Sequence, residues 1–69
     1  MGNTKESSAA VLPALMRLPE VEAVTRKRKG AIYLAMSQGT FPKPVRIGGR
    51  AVAWKGSSIQ AWIDGLEGA

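Results

Sequence analysis

The sequence predicts one small domain of mainly α class carrying a β-hairpin, on three observations. Apolar residues recur at helical spacing in two stretches, Leu18 to Val24 and Ile32 to Met36, with only a short connection between them. Two alternating runs, Val45 to Ile47 and Ala51 to Trp54, flank the pair Gly48-Gly49. Ile59, Trp62, Ile63 and Leu66 then form a third helical stripe.

Residues 1–14 mix Gly, Asn, Ser, Thr, Lys and Glu ahead of a short apolar piece broken by Pro13. They are expected to form a disordered tail, with the folded unit at 15–67. Leu18, Val21 and Val24 define a first helix of about two turns. Pro19 suits its first turn, and Glu20 and Glu22 complement the positive end of its dipole. Ile32, Ala35 and Met36 define a second helix that ends near Gln38, because Gly39 can take the left-handed conformation that closes a helix. Residues 25–28 are all that is left for the connection, which is the proportion of a helix-turn-helix. Phe41-Pro42-Lys43-Pro44 cannot be helical, since each proline removes a donor and biases the residue before it toward extended backbone. The hairpin is expected to turn on Gly48-Gly49 as a positive-φ pair, with Arg50 beside its tip and Trp54 on the same pleat as Val52. Ser57 or Ser58 is the expected cap of the last helix.

Charge is segregated along this framework. Between Ala23 and Ile63 stand eight basic residues, Arg26, Lys27, Arg28, Lys29, Lys43, Arg46, Arg50 and Lys55, and no carboxylate; the five acidic residues, Glu6, Glu20, Glu22, Asp64 and Glu67, all lie outside. The result is a directional positive field that calls for an acidic partner. At 45% apolar and 22% charged the chain is too apolar for a disordered basic peptide, so the field belongs to a folded surface.

The absence of cysteine and histidine removes disulfides, thiolates, imidazole bases and the common zinc ligand sets. Asp64 and Glu67 have no neighbour to tune them, and Gly48-Gly49 lacks the context of a nucleotide loop. The expectation is a non-enzyme with no cofactor and no metal. No apolar run approaches the roughly 18 to 20 residues of a membrane span. Ala9 to Met16 also lacks the basic and apolar regions of a secretory leader, so a cytoplasmic, membrane-free location is expected.

The order helix, basic turn, helix, FPKP, glycine-tipped hairpin, Trp54 and a helix ending in Ala-Trp-Ile resembles the AlpA family of small phage-derived regulators and excisionase-like proteins. The likeness runs from about Met16 to Leu66. It is carried by Arg17-Leu18-Pro19-Glu20-Val21, Thr25, Ala31-Ile32-Tyr33, Gly39 to Pro44, Gly49-Arg50, and Trp54 with Ile59 to Ile63. It implies a winged helix-turn-helix of the MerR type, with the second helix in the major groove of double-stranded DNA and the hairpin as a wing on the backbone or minor groove. Transcription control or steering of prophage excision would follow, on the nucleoid. Where the resemblance implies a Gly-Leu-Ser turn this chain has Arg26-Lys27-Arg28, and where it implies a basic residue after the tyrosine it has Leu34.

The candidate DNA-binding residues are Thr25, Arg26, Lys27, Arg28, Lys29, Gly30, Ala31, Tyr33, Lys43, Arg46, Arg50 and Lys55. The tetrad Arg26 to Lys29 suits phosphate at the start of a helix, where free N–H groups and the dipole already favour an anion. Ala31 is placed for a thymine methyl and Lys29 for a guanine edge. Gly30 is either a point of close approach to DNA or a weak spot in the helix, and Tyr33 either binds phosphate or half-buries its ring. Arg46, Arg50 and Lys55 belong to the hairpin, with Arg50 placed as a wing residue, and Lys43 sits in a rigid loop. Against each stands an ordinary solvated charge.

Trp54, Trp62 and Phe41 could instead offer a stacking platform for single strands or RNA, but their periodicity favours the core. Self-association on DNA, a recombinase and RNA polymerase are the further partners considered. The alternative class is an adaptor whose basic face docks an acidic protein, with exposed Leu34 as a protein contact.

Overall fold

The computed structural model describes residues 12–67. Within them the order is β1 (Leu15–Met16), α1 (Leu18–Thr25), α2 (Lys29–Ser37), β2 (Val45–Gly48), β3 (Ala51–Lys55) and α3 (Gly56–Asp64). The architecture is mainly α with a small antiparallel sheet, a winged helix-turn-helix, as the sequence predicts. The tail at 1–11 lies outside the described residues. Leu12, within the stretch 1–14 expected to be tail, packs on the core.

Helix α1 starts where Arg17 is held extended (φ −85°, ψ 167°) and donates its N–H to the Glu20 carboxylate at 2.8 Å, with Pro19 in the first turn. Glu20 is the acidic residue of that turn, and Glu22 stands beyond it. Val21 is fully buried, whereas Val24, expected in the same stripe, is 37% exposed. Helix α2 buries Ile32 and Ala35 and half-buries Met36. It closes in a Schellman motif: Gly39 takes φ +79°, its N–H donates to Met36 O, and the Thr40 N–H donates to Ala35 O at 2.9 Å. The Thr40 hydroxyl adds a bond to the same carbonyl at 3.2 Å. The chain is thereby turned so that Phe41 re-enters the core.

The sheet has strand order β1-β3-β2 with both pairs antiparallel, so β3 is central. Short β1 carries no alternating signal of its own and was not expected; it exists because Met16 and Leu15 pair with Trp54 and Lys55. On the other side Val45 pairs with Ala53, Arg46 with Val52 and Gly48 with Ala51, which leaves Ile47 as a bulge. This corrects the expected turn. The two turning residues are Gly49-Arg50, Gly48 still belongs to β2, and only Gly49 of the glycine pair has a positive φ (+24°). The bulge also breaks the alternation, leaving Ile47 exposed.

Helix α3 leaves β3 without a loop. Its N-cap is Lys55, and neither Ser57 nor Ser58 caps it. Instead the Gly56 N–H, one of the orphan donors of a helix start, reaches Ala14 O at 2.8 Å. The helix ends at Asp64, so Leu66 falls beyond it and is exposed rather than part of the stripe.

Met16, Val21, Ile32, Ala35, Phe41, Trp54 and Ile59 form the core, with Leu12, Leu18, Met36, Trp62 and Ile63 packed around it. Every element except β2 contributes. Trp54, the largest fully buried side chain, donates its indole N–H to Pro42 O at 2.9 Å and so fixes the proline loop to the sheet. Gly56 is buried, and a methyl group added there would run into the Pro13 carbonyl. Gly56→Ala is therefore expected to destabilise the fold by about 1–3 kcal/mol, the usual cost of overpacking. A urea titration showing an unchanged midpoint would contradict this packing.

Candidate nucleic-acid interface

The helix-turn-helix connection is Arg26–Arg28. Thr25, the last residue of α1, uses its hydroxyl to hold it: Oγ1 donates to Val21 O at 2.7 Å and accepts the Lys27 N–H at 3.3 Å. That role is internal to the turn. Arg26 then adopts φ 64°, ψ 20°, the sole non-glycine residue with positive φ among those described, and its N–H closes α1 on Glu22 O. Lys27 is half-buried, with Nζ 5.9 Å from the centre of the Trp62 ring. Trp62 in turn meets Phe41 edge-on at 5.1 Å. Lys27 thus ties the turn to α3 through a cation–π contact, its charge directed toward the ring.

Arg28 is the N-cap of α2, extended and with no side-chain cap bond. The first intrahelical bond runs from the Ile32 N–H to Arg28 O at 2.9 Å. The N–H groups of Lys29, Gly30 and Ala31 therefore precede any acceptor within the helix. All three residues are exposed, as is Arg28. Open amides, the positive dipole end and two cationic side chains meet at this one point, which is the arrangement that accepts a phosphate.

On α2 the buried seam of Ile32, Ala35 and Met36 leaves Gly30, Tyr33, Leu34 and Ser37 facing out. Tyr33 is 43% exposed, so its side chain is partly covered. A Cβ at Gly30 would meet nothing within 4 Å, so nothing inside the protein requires glycine there.

The hairpin residues separate. Arg50 lies in the turn itself and is exposed. Arg46 donates from Nη1 to Gly49 O at 2.8 Å, bracing the turn beneath it. Lys55 sits at the opposite end of β3, paired with Leu15, away from the wing tip. Lys43 is exposed in the loop that Trp54 anchors. Phe41 and Trp54 are buried, and half-buried Trp62 meets Phe41 edge-on and the Lys27 ammonium over its ring, so the three rings are engaged within the fold.

A family model, that of the prophage CP4-57 regulatory protein (AlpA), matches residues 14–65. The chain belongs to the AlpA family. It is also similar to a protein of Enterobacteria phage P4 described as uncharacterized protein ORF88, 38% identical over 50 residues that cover 72% of this chain and 57% of that protein. The chain thus matches little more than half the length of that phage relative. No solved structure matches it significantly. Among the described residues no helix is long and apolar enough to cross a membrane, and no three His, Cys, Asp or Glu side chains cluster as metal ligands.

The turn thus places Arg26 in the left-handed conformation, Lys27 half-buried beside Trp62, and Arg28 at the N-cap of α2 without a side-chain cap bond. The left-handed backbone and the missing cap carry a local cost for two further positive charges.

Arg26→Gly is expected to raise stability by up to about 1 kcal/mol, the left-handed penalty less the greater chain entropy of glycine. Arg28→Ser should add about 1 kcal/mol by restoring a cap. Urea midpoints that rise with unchanged slope would bear out both, and falling midpoints would contradict the turn geometry.

Proposed function

We propose that this chain is a sequence-specific, double-stranded DNA-binding regulator, with α2 entering the major groove and the β2–β3 wing lying on the neighbouring backbone or minor groove. The observation that carries the reading is the exposed start of α2, where Arg28 and Lys29 flank unpaired helix amides at the end of a helix-turn-helix connection. Membership in a phage regulatory family agrees with it. Arg26, Arg28, Lys29 and Arg50 are assigned to phosphate or groove contact, Lys43 and Tyr33 to flanking backbone. Lys27, Arg46 and Thr25 act by holding the turn and the wing, and Lys55 contributes field.

The activity is binding, with no reaction catalysed. Its use is transcription control or the steering of prophage excision, with a recombinase or RNA polymerase as the protein partner. A module of this size buries on the order of 600–1,000 Å² on DNA, so pairs of chains on repeated or inverted sites supply the remaining selectivity.

If about six phosphates are neutralised, log affinity should fall against log salt with a slope near −5. Fluorescence anisotropy on a labelled duplex from the chain's own promoter region, with scrambled duplex as control, measures it, and a slope near zero would overturn the electrostatic argument. Lys29→Ala combined with Arg50→Ala should abolish duplex binding. Undiminished binding by that pair would move the basic face to an acidic protein partner.

A further inference from the structure

The outer surface of α2 is poor in groups that could read bases by hydrogen bonds. Leu34 lies at its middle, opposite the buried seam of Ile32, Ala35 and Met36, and is 59% exposed, the most exposed of the large apolar side chains among the described residues. One turn before it is Gly30, which has no side chain, and beside it is Ala31. Ser37, the hydroxyl on the same face, donates its proton to Leu34 O at 2.7 Å. The remaining polar residues stand at the margins: Lys29 at the N-terminus, Gln38 at the C-cap and Tyr33 beside Leu34 in the sequence.

An apolar residue held outward on a helix whose N-terminal end is cationic matches one feature of the major groove, the C5 methyl of thymine, which stands beside the O4 acceptor. We propose that Leu34 is a specificity-determining residue of α2 that packs against thymine methyl groups, so that the target sites are duplexes with thymine facing the middle of the helix. The inference rests on the reading that α2 occupies the major groove. Arg28 and Lys29 at the helix start, with Arg50 in the wing, supply the charge complementarity that brings this face to DNA rather than to an apolar protein surface. The absence of a side chain at Gly30 lets the helix approach closely enough for Leu34 to touch the groove floor.

The experiment begins with duplexes enriched from a random pool by the wild-type chain. Each thymine of an enriched duplex is replaced in turn by deoxyuridine, which removes only the methyl group, and affinity is read by anisotropy. At one or more positions the wild type should weaken by about fourfold, the worth of one buried methyl. Leu34→Ala, a change at an exposed position that leaves the core intact, should lose that sensitivity. Lys29→Ala should bind more weakly overall yet keep it.

Indifference of the wild type to every replacement would overturn the inference while leaving duplex binding standing. Full thymine sensitivity in Leu34→Ala would overturn it as well. A pool from which no duplex is enriched would overturn the duplex-binding reading itself and this inference with it.

Discussion

The burial of Trp54 is the constraint on which the rest of the structure depends. Its position in the central strand places it against Met16 of β1, its ring lies in the core with Ile32 and Ala35 of α2, and its indole N–H holds the Pro42 carbonyl. One side chain therefore fixes three things: the helix that faces outward, the loop that leaves it, and the hairpin that follows. The loop needs such an anchor because Pro42 and Pro44 cannot contribute backbone donors of their own. A shift of Trp54 would change the angle between α2 and the wing, and a two-part surface works only if that angle is set.

The basic turn shows local stability giving way to charge. Arg26 and Arg28 stand where conformation would favour another residue: glycine at the left-handed site, serine at the cap. Each is instead a cation. The fold tolerates this because Thr25 ties the turn to α1, and Lys27 finds in Trp62 a ring that accepts its charge. Arg46 does the same for the wing by bonding Gly49. Two of the eight basic residues of the central segment, Lys27 and Arg46, thus have contacts within the fold that hold the turn and the wing.

The helices and their connection were legible in the sequence because their apolar stripes, Leu18-Val21 and Ile32-Ala35-Met36, are strong local signals, and Gly39 and the FPKP loop punctuate them clearly. What was not legible depends on pairing across the chain. Strand β1 has no pattern of its own and forms only because β3 offers an edge, and the cap of α3 comes from the Ala14 carbonyl rather than from a neighbouring serine. The bulge at Ile47 moved the turn by one residue and put Arg50 in it, a register effect that a glycine pair does not disclose. In the candidate site, charge along the sequence marked a region but could not separate Lys27, which lies over the Trp62 ring, and Arg46, which bonds Gly49, from the other cations. The signal for Lys27 was its place between a left-handed residue and a helix cap, where a side chain must turn inward; for Arg46 only the three-dimensional turn reveals it.

The central claim is that the start of α2 and the wing tip form one surface that meets duplex DNA. The most direct test is a nitrogen-15 amide titration of the protein with an enriched duplex. The account predicts that the amides of Lys29, Gly30 and Ala31 move together with those of Gly49 and Arg50, saturating at the same ratio, while Gly56 and Met16 in the sheet junction stay in place. Shifts gathered at the junction, or at α2 without the wing, would contradict it.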